Sequence, residues 1–425
     1  MRILVSICLI SVIVTVSFIP SLKNGFVNWD DDQYVTQNPL IRTLSLPNTK
    51  KVFSSFYACN YQPLTLLSYA FEYRFFGLNP RGYHLTNLIL HLLNCFCVFL
   101  LFLLIGGNVA AAFIIALLFG IHPLHVESVA WISGLKDVLF AFFYLCALIA
   151  YSKYLALKRS TTIYILSVFL FILSALSKSA AITLTPVLFL IDYIKDRKCD
   201  RAAWIEKIPF IIVSLIFGFI ALVSQSAAIR QDGAFSFLAK IQVACYGVVF
   251  YMVKLLVPLN LSCLYPHPEM SGHFVPWPYS AALIVVIVLL IAVFFLCRHT
   301  KKIVFGSCFF LLAVFPNLQF VPLGAIITAD RYTYIPSLGL FFLIAFFCLW
   351  LLDKAGRNKN LRSALLSVYI LVAGSLGLLT WNRCMAWEDG FTLWTDVIDK
   401  YGGEYIPIAY YNRGVIYMDM RQDNF

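Results

Sequence analysis

Read for its apolar and polar positions, the chain is a succession of long hydrophobic runs divided by short polar loops. The runs fall near 3–20, 84–105, 109–122, 137–155, 161–177, 180–194, 208–224, 279–297, 303–321, 335–352 and 363–381. Most approach the ~17–25 residues that carry a helix across a hydrocarbon core. The pattern therefore predicts eleven spans. A further apolar stretch, Phe237 to Leu259, carries Lys240, Gln242 and Lys254. It is expected to lie at the interface or re-enter rather than span.

Composition agrees with that pattern. Of 425 residues 61% are hydrophobic and 12% charged, with a mean hydropathy of +0.83, whereas a soluble domain is about half apolar and a quarter charged. The run after Arg2 is long for a signal peptide, and no A-x-A-like cleavage site follows it. It reads as an uncleaved first span with its N-terminus in the cytoplasm. The twelve cysteines are scattered, mostly inside apolar runs, with no CxxC or metal-ligand spacing, as small buried hydrophobes would be.

Charge orients the spans. On this count the cytoplasmic segments are Arg2, "KYLALKR", "IKDRKCDRAAWIEK", "RHTKK" and "DKAGRNKNLR", with a bare "GGN" turn. They hold 16 of the 32 Lys and Arg but, with Asp192, only 5 of the 21 Asp and Glu. The net charge of +11 thus sits on the cytoplasmic side, as the positive-inside rule expects. If Phe237–Leu259 spanned, "RHTKK" and "DKAGRNKNLR" would face outward. The bases lie in short juxtamembrane loops, so nucleic acid is not an expected partner. The C-terminal stretch falls on the extracytoplasmic side.

Polar residues unusual for membrane depth gather on that outer side, where chemistry is expected. After the first span, "FVNWDDDQYVTQNP" sets Asp30, Asp31 and Asp32 beside Trp29 and Tyr34, two residue types that favour the interface. Adjacent carboxylates repel, which raises one pKa and leaves another as a base. The same cluster also fits a helix cap or Asx turn. In "HPLHVESVAWISGLKD", His122, His125 and Glu127 follow a short span. A metal pair, a buried polar network and a substrate contact all remain open for them. Lys178 in "SKSA", Lys136 in "LKDVL" and Arg331 in "ADRYTY" are bases suited to an anion. Snorkelling, helix capping and an Asp330–Arg331 pair are the structural alternatives, and Tyr332 stands beside that pair. No GxGxxG, P-loop, HExxH or GxSxG pattern occurs. A site outside the cytoplasm has no nucleotide sugars at hand, so its donor is expected to be lipid-linked.

From Trp381 the composition turns amphipathic. Tyr410, Gly414 and Tyr417 fit the first helix of a tetratricopeptide repeat. Together with "YQPLTLLSYAFEYRFFGLNPRGYHLTNLILHLLN", "HPLHVESVAWISGLKDVL", "SKSAAITLTP" and "ADRYTYIPSLGL", the chain resembles bacterial relatives of the transmembrane and tetratricopeptide-repeat, O-mannosyltransferase-like family. The likeness covers residues 20 to 425. One departure is "GLKDVL", where many relatives carry Arg at Leu135 or Lys136.

The resemblance implies an all-α, GT-C-like bundle of about 11–12 transmembrane helices. Residues 1–381 would form the polytopic domain, with a helical first outer loop at 21–83, and 382–425 would lead into a truncated repeat. It further implies a glycosyltransferase of the bacterial plasma membrane, moving a mannose-like sugar from a polyprenyl-phosphate donor to a hydroxyl of a protein or glycan. On that basis Asp31 or Asp30 is the expected base and Glu127 a second acidic group. Lys136, Lys178 and Arg331 would hold the phosphate, and His122, His125, Asp32, Asp330 and Tyr332 would form an acceptor-side network. A divalent cation is left open. The competing reading is a non-enzymatic anchor that presents repeats to protein partners. It gives no reason to bury Glu127, His125, Lys178 and Arg331 at the membrane face.

Overall fold

The computed structural model describes residues 1–157, 159–226, 236–266, 275–320, 326–401 and 406–422. Lys158 and most of the "YPHPE" loop lie outside them. The chain opens with α1 (Arg2–Phe18), and the first loop holds α2 (Leu46–Ser54) and α3 (Pro63–Phe76). Then come α4 (Pro80–Gly106), α5 (Val109–Ile121), the short α6 (Val126–Ala130), α7 (Leu135–Ala156), α8 (Thr161–Ser177) and α9 (Leu184–Ile194). The middle of the chain forms α10 (Arg201–Ile205), α11 (Ile208–Ser224), α12 (Phe237–Leu256), α13 (Trp277–Leu296) and α14 (Lys301–Val314). It closes with α15 (Ser337–Lys354), α16 (Lys359–Met385), α17 (Gly390–Tyr401) and α18 (Pro407–Gln422). Strands β1 (Tyr265–Pro266) and β2 (Ile326–Thr328) pair antiparallel beside the site described below.

This is an all-α polytopic membrane protein. All eleven expected runs contain helix, but eight helices among the described residues, α12 included, are long and apolar enough to cross a membrane, nine if a bent pair is one span, fewer than the eleven expected. That pair is Val109–Ile121 with Pro123–Ala130, bent by 53°. Pro123 explains the bend, since it supplies no N–H and disfavours helical backbone at His122. The run expected at 303–321 is shorter than anticipated. Its helix ends at Val314, and Phe315–Asn317 form a 3-10 turn around Pro316.

The core is a neighbour-packed bundle in which α4 packs on α5 and α7, α7 on α8, and α14 on α15. Where α14 meets α15, Gly306 and Gly339 face each other. A Cβ on Gly339 would stand 2.3 Å from the Gly306 carbonyl oxygen, so this approach admits only small residues.

The bundle has two distinct ends. At one lie the first loop, the start of α7 and the turn before α15. At the other Asp192, at the end of α9, meets Lys207 and Tyr151, with the Tyr151 hydroxyl donating to Asp192 at 2.8 Å. α12 meets the length and composition test for a span, yet its contacts run along the first end from start to finish. Gln242 donates to Ser280 in the first turn of α13 at 2.8 Å, Tyr251 accepts from the Ala329 amide at 3.3 Å, and the Leu255 carbonyl accepts from His122 at 3.1 Å.

The tail is bound into the same end. Asn24 donates to the Cys384 carbonyl at 2.9 Å, Gly25 N–H to Glu388 at 2.7 Å, and Trp394 Nε1 to Asn28 Oδ1 at 2.8 Å. The Asn28 amide in turn donates to the Asn412 carbonyl in α18 at 3.0 Å.

Candidate active site

The three aspartates after α1 have three different surroundings. Asp31 is fully buried. Its Oδ2 accepts from the Val27 amide at 3.0 Å, and its Oδ1 accepts from the Ser133 amide at 2.9 Å and the Ser133 hydroxyl at 2.5 Å. Burial pushes its carboxyl up to about 7, against the three donors that favour the anion. Asp31 therefore staples the first loop to the turn between α6 and α7. Gly134 makes that turn possible, because a Cβ there would meet the Ser128 carbonyl at 2.6 Å. The Asp32 side chain accepts from the neighbouring Gln33 N–H, at 2.9 Å. Asp30 alone of the three faces a cavity, with a third of its side chain exposed and Lys136 Nζ 3.3 Å away.

Of the two candidate bases, Asp31 thus receives three protein donors, whereas Asp30 holds the position open to the cavity. Tyr34 is not an interface residue either. It is buried, with its hydroxyl accepting from the Asn60 amide at 3.3 Å.

The cavity has a volume of about 930 Å³. At its polar end Lys136, Lys178, Arg331 and Tyr332 join Asp30. Each base is held by aromatic rings or acids behind it. Lys136 lies 4.7 Å from the Trp131 ring and 4.9 Å from that of Tyr34, and Lys178 pairs with Asp137 at 2.5 Å. Arg331 is gripped by Glu127, which accepts from its backbone amide at 2.8 Å and pairs with its guanidinium. Such a two-point grip fixes the direction of a guanidinium. Away from the bases, Leu215, Phe219 and Leu222 of α11 face Leu312, Phe315 and Phe320 across an apolar flank. Leu215, Phe219, Leu222 and Phe315 are also exposed, so this flank opens on the surface the helices offer to lipid.

The remaining expected residues lie behind the cavity. Glu127, expected as a second acidic group near the acceptor, is buried and pairs with Arg331. His122 accepts from the Leu124 amide at 3.3 Å and donates to Leu255. His125 donates to the Phe119 carbonyl at 2.7 Å and faces Ser337 Oγ at 3.2 Å. Both histidines bind backbone at the α5 bend and belong to a structural network. Asp330 accepts from the Tyr265 hydroxyl at 2.8 Å, and burial with the nearby Glu127 carboxylate pushes it up to about 7. Among the described residues no three His, Cys, Asp or Glu side chains converge to hold a metal ion.

Among the cavity residues that were not foreseen are Asn60, Tyr61 and Gln62, from "NYQP" ahead of α3. A polar triplet before a proline is ordinary turn composition, and no spacing rule singles it out.

No protein-family profile matches the chain. Its curated relatives are protein O-mannosyl-transferases. One from Caenorhabditis elegans is 26% identical over 372 residues, which is 79% of this chain and 50% of the relative. The human TMTC3 protein is 25% identical, covering 80% of this chain and 40% of its own length. The chain therefore spans half or less of these two relatives. Solved structures of similar course include ArnT from Cupriavidus metallidurans bound to undecaprenyl phosphate, at TM-score 0.45 and 12% identity over 92% of this chain and 76% of that one. Another is the Archaeoglobus fulgidus oligosaccharyltransferase tethered to an acceptor peptide, at TM-score 0.49 and 13% identity over 91% and 55%.

Proposed function

We propose that the chain is the membrane part of a GT-C-type glycosyltransferase. It would move a mannose-like sugar from a polyprenyl-phosphate donor to a hydroxyl, that of protein Ser or Thr, on the extracytoplasmic face of a bacterial plasma membrane. One observation carries this reading: a single cavity joins three cations and one carboxylate to an apolar flank open to lipid. The names of the curated relatives support the same chemistry.

In this reading the polyprenyl tail lies along α11 and the end of α14, while its phosphate meets Lys136, Lys178 and Arg331. The acceptor oxygen attacks the anomeric carbon, and its proton passes to Asp30. A glycosidic C–O bond forms as the bond from carbon to phosphate oxygen breaks, and the lipid phosphate leaves with the electron pair. Attack opposite the leaving group inverts the anomeric centre. Fixed cations matter most at that moment, because charge builds on the departing phosphate in a site with little water. Glu127 and Asp137 act as positioning residues for Arg331 and Lys178.

The experiment is transfer of a labelled sugar from a polyprenyl-phosphate donor to a Ser/Thr peptide by the purified protein. Labelled peptide with release of polyprenyl phosphate is expected. Donor that binds but never yields its sugar to any hydroxyl would contradict the reading.

A further inference from the structure

Arg331 reaches the cavity from a short 3-10 turn, Asp330–Thr333, that begins two residues after β2. Glu127 fixes its amide and its guanidinium, but the turn is also anchored one residue earlier. Asp330 is buried, and its Oδ1 accepts from the Tyr265 hydroxyl at 2.8 Å. That hydroxyl oxygen itself accepts from the Ser262 amide at 2.9 Å. A phenol has one proton to give, so both its directions are set. Tyr265 also pairs with Thr328 where β1 meets β2.

The Tyr265 loop is gripped in turn by the tail. From the end of α17, Tyr401 donates to the Leu264 carbonyl at 2.9 Å and Lys400 to the Leu261 carbonyl at 2.5 Å. Asp396 holds Lys400 at 2.5 Å and accepts from Arg383, at the end of α16, at 2.6 Å. The Tyr401 side chain also packs on the small apolar cluster of Tyr265, Val243, Tyr279 and Ile327. A continuous line of contacts therefore runs from α17 through Tyr265 and Asp330 to Arg331. Of these residues only Arg331 lines the cavity.

We infer that Tyr265 is a positioning residue for Arg331, held in place by α17, so that the tail sets how tightly the cavity grips a lipid phosphate. This rests on the donor reading above. A guanidinium fork serves a phosphate only when it is aimed to within about 0.5 Å, and that aim depends on the groups behind it. Glu127 supplies one such support and the Tyr265–Asp330 bond the other.

The test is equilibrium binding of a polyprenyl phosphate to the purified full chain, in two backgrounds. Tyr265→Phe, which removes one hydroxyl, should weaken binding roughly 3- to 10-fold in the parental chain, the value of one hydrogen bond. The second background is Glu127→Leu with Arg331→Met, which removes the guanidinium without stranding a buried charge. There Lys136 and Lys178 still hold the phosphate, and Tyr265→Phe should make no further difference. Tyr401→Phe, which releases the loop from α17, should follow the same pattern and guards against a folding defect in the first variant. A role confined to stability would weaken binding equally in both backgrounds, since independent effects add. Equal weakening in the two backgrounds, or none in the parental chain, overturns the inference. Failure of the parental chain to bind polyprenyl phosphate at all overturns the donor reading itself.

Discussion

Asp31 and Asp30 are neighbours in sequence with opposite employments, and substitution should separate them. Asn at position 31 keeps one acceptor but turns an N–H toward a backbone donor now satisfied by Asp31. Asp31→Asn is expected to cost about 1–3 kcal/mol, read as a lower unfolding midpoint in detergent. An unchanged midpoint would show that the staple carries no stability. Glu72 in α3 offers a second residue-scale check. It is buried, and burial pushes it up to about 8 from 4.5, against a hydrogen bond from the Thr86 hydroxyl. Its folded pKa lies above the unfolded one, so its contribution is fully present below about pH 4.5 and is lost as pH rises through about 8. The melting temperature should fall across that window, and Glu72→Gln should flatten the fall; an equally steep fall in the variant would contradict the assignment. Which aspartate of "WDDD" faces the cavity was not legible in sequence. The deciding partner, Ser133, lies 102 residues further on.

At the scale of elements, Glu127 and Arg331 tie α6 to the turn before α15. Both side chains are nearly inaccessible, so removing one partner strands a buried charge. Glu127→Gln should destabilise by about 3–5 kcal/mol, whereas the apolar pair Glu127→Leu with Arg331→Met should recover much of that loss. A double-mutant cycle of unfolding free energies measures the coupling, and simple additivity would exclude it. α12 provides the other element-scale prediction. By length and apolar content it resembles the spans, but its two ends contact one end of the bundle. Cysteines placed at Ser236 and at Leu259, on a background cleared of accessible thiols, should both be labelled from the side that labels Gln225. Labelling from opposite sides would make α12 a span. The sequence expectation for this stretch rests on its charges, since Lys240 and Lys254 are costly at membrane depth. The early end of α14 was hidden, because Phe315, Leu318 and Phe320 of "FPNLQF" carry the apolar run on past the end of the helix.

On the scale of the whole molecule, the architecture was largely legible because membrane helices must satisfy their own backbone and leave long apolar signatures. The cavity was not, because its walls come from seven separate stretches of chain: Asp30, Asn60–Gln62, Lys136, Lys178–Pro186, Ser214–Gln225, Leu312–Phe320 and Arg331–Tyr332. Their convergence is set by helix packing, which no local pattern records. It is this convergence that gives Asp30 its proposed role, since it brings one accessible carboxylate to three bases. The most direct test of the account is therefore the rate of sugar transfer from a polyprenyl-phosphate donor by Asp30→Asn, per mole of folded protein, beside Asp31→Asn. Loss of a general base predicts a fall on the order of 10²- to 10⁴-fold for Asp30→Asn, with its unfolding midpoint intact, while folded Asp31→Asn retains transfer. Parental rates in Asp30→Asn would contradict the account.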